Sequence, residues 1–222
     1  MRRFQRCKMQ LFALCNEIAG CKRRKPVGTP VAEAGEDAIC EGQMKGVIFT
    51  ELIGFLETRH GLAFADAVIV ESRLPNDGAF TSVGNYPSTE ALTMVGVASR
   101  LSGVAGSVIC EEYGAWLLGR FAVLFPAIMA KYPTAEDMLM HVGSHIHDEV
   151  RVLYPEARPP LIEAVRDGDT MTVSYRSHRP MAHIAFGLIR QCLVSYGDSR
   201  TVCWHGSGRT DEATFTISAQ GE

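Results

Sequence analysis

Residues Tyr175-Arg176-Ser177-His178-Arg179 place a phenol, a hydroxyl and a guanidinium at alternate positions. If this segment is extended, side chains at alternate positions point to the same side of the chain. Three such hydrogen-bond donors suit a carboxylate, and an arginine can pair with a carboxylate through two parallel hydrogen bonds. The segment therefore predicts a carboxylate-binding site on one face of an extended strand.

A helix is predicted some thirty residues upstream of this segment. The sequence Pro133-Thr134-Ala135-Glu136-Asp137 is a strong helix start, because Thr134 can cap the first turn and two acidic residues follow it. We predict that this helix continues to about Tyr154, since Pro155 then ends it.

His147 lies on the flank of the apolar stripe of this helix, and Gly143 lies one turn earlier, where a missing side chain leaves space for a flat ligand. The chain contains no Cys-x-x-Cys-His sequence. A helical histidine upstream of a carboxylate-binding segment is therefore a candidate axial ligand of a non-covalently held haem, whose two propionates would be the carboxylates. A histidine packed in the core is the alternative.

Two other histidines share the helix. His141 and His145 are four residues apart on one face, a spacing that can hold zinc. They lack the glutamate of a His-Glu-x-x-His site and an obvious cysteine partner, so we expect surface histidines. His145 and His147 are roughly 200° apart around a helix and cannot bind one ion together.

The composition describes one ordinary domain with a sizeable core: 222 residues, 46% hydrophobic and 21% charged. Residues 1–25 contain eight Lys or Arg and only Glu17 as an acid, a charge of +7, so the net charge of −3 leaves −10 for the other residues. An acidic body argues against nucleic acid as the main partner. No apolar run approaches the roughly 20 residues of a membrane span, so we expect no membrane partner.

The first 43 residues differ from the rest, being basic first and then small and polar. They are interpreted as a disordered leader, or as the product of an upstream start codon with Met44 the true beginning, and 44–222 as the functional domain.

Four of the seven cysteines lie in the first 40 residues and three are scattered. We expect mostly free thiols in a reducing compartment, and therefore the cytoplasm.

The order of predicted elements indicates an α+β fold, with helices first and then strands in the order β-β-α-β-β. Asp167-Gly168-Asp169 is a turn signal between the first two strands. Helices are predicted at 44–60, 62–74, 88–102, 108–119, 119–131, 134–154 and 181–196, and strands at 161–165, 171–177, 201–204 and 213–217.

Three segments together resemble the H-NOX family, the haem–nitric oxide/oxygen binding domains related to the sensor domain of soluble guanylate cyclase. They are Met44-Lys45-Gly46, the run from His147-Asp148-Glu149-Val150-Arg151 through Tyr154-Pro155 to Arg158-Pro159-Pro160, and Tyr175-x-Ser177-x-Arg179. The resemblance covers residues 44 to about 205 in order and spacing. It implies an N-terminal helical subdomain and a subdomain of antiparallel sheet plus helix, with haem b between them.

The resemblance also implies residue roles. His147 corresponds to the proximal ligand of the haem iron, and Pro160 to the proline that presses on the porphyrin. Ile48 corresponds to the apolar residue on the other side of the ring. Tyr175, Ser177 and Arg179 correspond to the propionate clamp, the name used below for these three residues. The expected apolar distal pocket consists of Leu52, Leu117, Phe121, Ile184 and Leu188.

The distal residues decide which gas binds. Oxygen-binding members of the family carry a tyrosine at the start of the helix after the clamp, where this chain has Ile184. Bound dioxygen needs a hydrogen-bond donor and nitric oxide on ferrous iron does not, so we expect binding of nitric oxide and also of CO. His183 should point away from the pocket, because adjacent helical residues are about 100° apart.

Some bacterial relatives carry a small zinc site near the C-terminus. This chain keeps Cys203-x-His205 but has Ala182, and no cysteine follows His205. Two possible ligands rarely hold structural zinc, so no metal is expected there.

The resemblance implies a sensor and not an enzyme. Nitric oxide would weaken the bond between ferrous iron and His147, the haem would relax against Pro160, and the helix bearing His147 would shift. The signal is expected to act in trans on a histidine kinase or a cyclic-di-GMP enzyme (a diguanylate cyclase or phosphodiesterase). The alternatives are a haem-free interaction module of the same fold and a haem-dependent peroxidase or nitric oxide-detoxifying enzyme. The lack of a polar distal acid–base pair argues against the enzyme.

Overall fold

The computed structural model describes residues 42–205 and 209–219, and the predictions for residues 1–41 lie outside them. Helices come first and strands follow, which confirms the α+β class. The helices are α1 (Gly46–His60), α2 (Leu62–Ser72), α3 (Ser88–Ser102), α4 (Gly106–Leu124), α5 (Pro126–Met129), α6 (Ala135–His141), α7 (His147–Leu153) and α8 (Ala182–Ser195), with a π-helical segment at Val142–Ile146 between α6 and α7. The strands are β1 (Gln43–Lys45), β2 (Asn85–Pro87), β3 (Leu161–Asp167), β4 (Thr170–Arg176), β5 (Thr201–His205) and β6 (Glu212–Ser218).

The main sheet has four antiparallel strands in the order β3-β4-β6-β5. Tyr175 of β4 lies opposite Ile162 of β3 and Ala213 of β6. The predicted turn between β3 and β4 is present, with Gly168 in the left-handed conformation (φ 60°) that glycine tolerates best. A second, two-stranded sheet pairs β1 with β2.

The alternation of buried and exposed residues along β4 and β6 shows which face of the sheet α8 covers. Alternate residues of both strands are buried beneath α8, while the residues between them are more exposed. A separate apolar cluster fills the space among α1 to α4, and Leu188 of α8 packs against both clusters. The inward residues of the sheet are Met171, Val173, Tyr175, Ala213, Phe215 and Ile217.

Helices α4 and α8 make the most extensive helix–helix contact of the described residues. Two glycines permit it. A Cβ atom on Gly114 would lie 2.2 Å from the carbonyl oxygen of Ile184, and a Cβ on Gly187 would lie 2.0 Å from that of Glu111. The backbones therefore approach closely, which fixes the first two turns of α8 beside the middle of α4.

Two predicted helix boundaries are wrong. The chain first forms β1, and α1 begins only at Gly46, whose missing side chain admits the backbone of Thr81. The break predicted near Gly119 does not occur. Gly119 is exposed with no atom near its Cβ position, so it costs helix propensity without ending α4, which continues to Leu124 before Pro126 starts a new turn.

The helix predicted at 134–154 starts as expected and then departs from α-helical geometry. The hydroxyl of Thr134 accepts a hydrogen bond from the backbone N–H of Asp137 at 3.0 Å, as a capping residue should. The helix is, however, divided by the π segment Val142–Ile146, directly before His147.

Within the described residues, no single helix is long and apolar enough to cross a membrane. Helices α3 and α4 meet that length and composition only as a pair, and they are bent by 114° relative to each other.

Candidate haem-binding site

His147 is the first residue of α7 and follows the π segment directly. Such π turns shift the angular position of the side chains that follow them and are frequent at functional sites. The imidazole is largely buried, and its Nδ1 atom has no hydrogen-bond partner. An unpaired buried ring nitrogen is what a metal ligand requires.

Electrostatics keep this imidazole neutral. Burial, assisted by the positive charge of Arg151, lowers the pKa of His147 to about 4. A hydrogen bond with the backbone carbonyl of Pro160 and the charge of Asp148 act in the opposite direction but are weaker. His147 is therefore neutral at pH 7, the form in which histidine binds metals. The same hydrogen bond places the carbonyl of Pro160 beside His147.

The interpretation of Gly143 as space for a flat ligand is wrong. A Cβ atom on Gly143 would lie 2.1 Å from the carbonyl oxygen of Ile162, so the backbone of β3 occupies that space. Gly143 is needed for the close approach of the π segment to the sheet.

The three residues of the propionate clamp lie together at the end of β4. The hydroxyl of Ser177 accepts a hydrogen bond from the backbone N–H of Arg179 at 3.1 Å and is hydrogen-bonded to Tyr175. Burial raises the pKa of Tyr175, against weaker effects of Ser177 and Arg179 that lower it. The phenol of Tyr175 is thus neutral at pH 7.

The prediction that residues 175–179 are extended is correct only for the first two of them. Strand β4 ends at Arg176, and 178–180 form a bend. Arg179 reaches the site by turning back through this bend, while the backbone N–H of Ser177 is held by the carbonyl of Asp211 at 2.8 Å.

Arg179 is a buried cation, 8% exposed. Its Nη1 donates to the carbonyl of Arg158 at 3.1 Å and its Nη2 to the carbonyl of Gln43, while Nε has no partner. Burial lowers the pKa of Arg179. Within the described residues its guanidinium donates to neutral carbonyls. A buried charge is costly unless an opposite charge pairs with it. The site therefore fits a bound carboxylate such as a haem propionate.

The predicted apolar residues all belong to one cluster at the α1–α4–α8 junction. Leu52 and Leu117 are almost completely buried. The hydroxyl of Tyr113 donates to the carbonyl of Ile48 at 2.5 Å and so ties α1 to α4. The partly buried members of this cluster are Ile48, Phe121, Ile184 and Leu188.

The prediction that His183 points away from this cluster is confirmed. Its Nδ1 donates to a carboxylate oxygen of Glu111 at 3.0 Å, and its ring meets Trp204 edge-on with 4.5 Å between ring centres. Both partners lie outside the apolar cluster, so Ile184 is the residue that α8 contributes at this position.

The remaining histidines have other partners. His141 is exposed and donates from Nδ1 to the carbonyl of Asp137 at 2.7 Å. His145 is partly exposed at the surface and shares a hydrogen bond with Tyr132. Cys203 and His205 are exposed on β5. Among residues 42–205 and 209–219, no three His, Cys, Asp or Glu side chains converge as metal ligands would.

Sequence reasoning missed the residues that act through the backbone or through distant pairing. The carbonyls of Gln43 and Arg158 hold Arg179, and Glu111 orients His183. No sequence signal points to them, since each pairing joins segments at least 21 residues apart and depends on the tertiary fold.

Comparison with known proteins identifies the family. Residues 45–202 match the haem-NO-binding family profile. The unliganded Fe(II) H-NOX protein of K. algicida is 28% identical, with 81% of this chain and 98% of that chain aligned and a TM-score of 0.75. The S. oneidensis H-NOX protein in the Fe(II)NO state (20% identity, 80% and 100% coverage, TM-score 0.72) shares the fold. No curated protein matches the sequence. The chain belongs to the haem-NO-binding, or H-NOX, family.

Proposed function

We propose that this domain is a haem-based nitric oxide sensor in which His147 is the proximal ligand of haem b. As an H-NOX domain it is a sensor domain and not an enzyme, and the family binds haem with ferrous iron. The observation that carries the proposal is the neutral imidazole of His147, with an unpaired Nδ1, beside Pro160. The buried guanidinium of Arg179 supports it independently, because it fits a propionate.

The chain's own residues would position the cofactor. When bound, ferrous haem supplies the iron that takes up nitric oxide. His147 on α7 would bind the iron through a ring nitrogen, and the propionate clamp, formed by the end of β4 and the bend after it, would bind the propionates. Pro160 connects these two parts, since its carbonyl touches His147 and its chain leads directly into β3. Release of His147 would let α7 move against the sheet, a packing change with two stable arrangements.

The apolar residues of the α1–α4–α8 cluster support the proposed gas selection. Ile184 and Leu188 on α8, with Leu117 on α4, carry no hydrogen-bond donor, and Glu111 holds His183 elsewhere. Dioxygen needs a donor for its partial negative charge, and leaving such charge unpaired in a dry pocket is costly. The pocket therefore favours nitric oxide and CO over dioxygen.

The proposed output is signalling in trans to a histidine kinase, a diguanylate cyclase or a cyclic-di-GMP phosphodiesterase. This partner class rests on the family resemblance alone. The proposed location is the cytoplasm, supported by the three described cysteines, Cys110, Cys192 and Cys203, none of which forms a disulfide.

The test is the absorption spectrum of the purified protein after reduction, first under nitrogen, then in air and then with nitric oxide. We expect a Soret band that is unchanged during seconds in air and shifts on addition of nitric oxide. A protein without a Soret band would be a haem-free interaction module. Rapid peroxide turnover would instead indicate the haem-dependent enzyme.

A further inference from the structure

Four side chains join the helix that bears His147 to the loop before it. Lys131 and Tyr132 belong to the loop between α5 and α6, whereas His145 belongs to the π segment and Glu149 to α7. The Tyr132 hydroxyl and His145 Nδ1 share a hydrogen bond of 2.5 Å. Glu149 accepts from Lys131 Nζ at 2.7 Å and lies 3.2 Å from His145 Nε2. These four residues are called the proximal cluster below.

The proximal cluster holds the helix on the side away from the imidazole. Glu149 is two residues after His147 in α7, which corresponds to about 200° around an α-helix. His145 precedes His147 in the π segment. His145 and Glu149 are four residues apart and lie on one face, where Glu149 contacts both His145 and Lys131. The proximal cluster thus contacts the side of the helix that is opposite His147.

The loop side of the proximal cluster is fixed to the core. Tyr132 is 6% exposed and packs in the cluster formed by α6, α8 and the sheet. Its ring also stacks on His141 of α6, with 5.6 Å between ring centres. The helix that bears His147 is therefore tied, through His145 of the π segment, to a tyrosine that is buried in the core.

We infer that Lys131 and Tyr132 are positioning residues for His147, which hold α7 in the place where its imidazole bonds to haem iron and so oppose its release by nitric oxide. This inference rests on the proposed function. The contacts of Lys131 and Tyr132 would set how easily nitric oxide releases His147. Weakening the proximal cluster should leave the ligand in place but make its release easier, because the helix then moves at lower cost.

The test compares Tyr132→Phe with Tyr196→Phe in the haem-loaded protein. Both changes remove one hydroxyl from a tyrosine that contacts the same region, but the Tyr196 hydroxyl donates to the carbonyl of Met129 at 3.3 Å and does not contact α7. Amide hydrogen exchange of residues 142–150 in the reduced protein without nitric oxide should rise about fivefold in Tyr132→Phe, as expected for loss of one hydrogen bond. It should not rise in Tyr196→Phe.

Spectroscopy provides the second measurement. In Tyr132→Phe the iron–histidine stretching band should move to lower frequency in resonance Raman spectra, and a larger fraction of protein should lose the histidine bond at limiting nitric oxide. Lys131→Met should act in the same direction, Lys131→Arg should restore the wild-type values, and both should fold, because this side chain is 30% exposed.

Two results would overturn the inference. If the wild type responds to nitric oxide while both Tyr132→Phe and Lys131→Met keep its exchange rates and spectra, the proximal cluster is structural only and the proposed function stands. If the wild type shows no Soret band, the proposed function and this inference fail together.

Discussion

Replacing Arg179 by alanine should accelerate haem loss. Arg179 is the buried cation of the propionate clamp, and its Nε is the donor that lacks a partner within the described residues. Alanine removes the charge and every donor of the guanidinium, while the neighbouring Tyr175 and Ser177 remain in place.

The magnitude follows from the hydrogen bonds available. Nη1 and Nη2 already donate to backbone carbonyls, so at least one bond, that from Nε, is free for a propionate. A charge-assisted hydrogen bond contributes about 1.5–3 kcal/mol. Since about 1.4 kcal/mol corresponds to a factor of ten, haem should dissociate on the order of 10 to 100 times faster.

The assay is haem transfer to excess apomyoglobin, followed by absorption. Arg176→Ala is the matched control, because Arg176 lies three residues earlier, at the end of β4, but is exposed. Its transfer rate should equal that of the wild type. An unchanged rate in Arg179→Ala, or an equal acceleration in both variants, would refute the assignment of Arg179 to a propionate.

Three further predictions concern packing, pH and gas choice. Gly187→Ala should destabilise the fold by at least about 1–3 kcal/mol in urea unfolding, because the new Cβ meets the backbone of α4, whereas Gly119→Ala, with open space, should stabilise it. Hydrogen bonds from Arg200 lower the pKa of Asp198, so the contribution of this carboxylate to stability is full above its ordinary pKa of 3.8 and is lost as the pH falls through its lower folded-state pKa. The melting temperatures of the wild type and of Asp198→Asn should therefore differ at pH 7 and converge in acid. An equal difference at both pH values would contradict this. Ile184→Tyr should slow dioxygen release in stopped-flow experiments and leave nitric oxide affinity nearly unchanged; equal changes in both would show that the tyrosine does not act as a selective donor.

Local signals predicted the parts of the fold that local chemistry determines. The Thr134 cap and the turn at Gly168 are present as expected, because each depends on a few neighbouring residues. The alternating pattern of β4 likewise matches its buried face. Residue pattern and family resemblance together named His147 and the clamp.

The rest depended on contacts between distant segments. Nothing near Val142 in the sequence indicates a π segment. The role of Gly143 depends on its contact with Ile162 of β3, which is distant in sequence. The carbonyls that hold Arg179 come from residues 21 and 136 positions away. Such pairings become visible only when the chain is folded.

The central claim is that His147 holds the haem iron, and the direct test is the absorption spectrum of reduced His147→Gly purified with and without imidazole. We predict little haem without imidazole, and a five-coordinate ferrous spectrum restored when imidazole occupies the space left by the side chain. Full haem content with the wild-type ferrous spectrum in the absence of imidazole would contradict the account and would make His145, two residues away on the same helix, the next residue to examine.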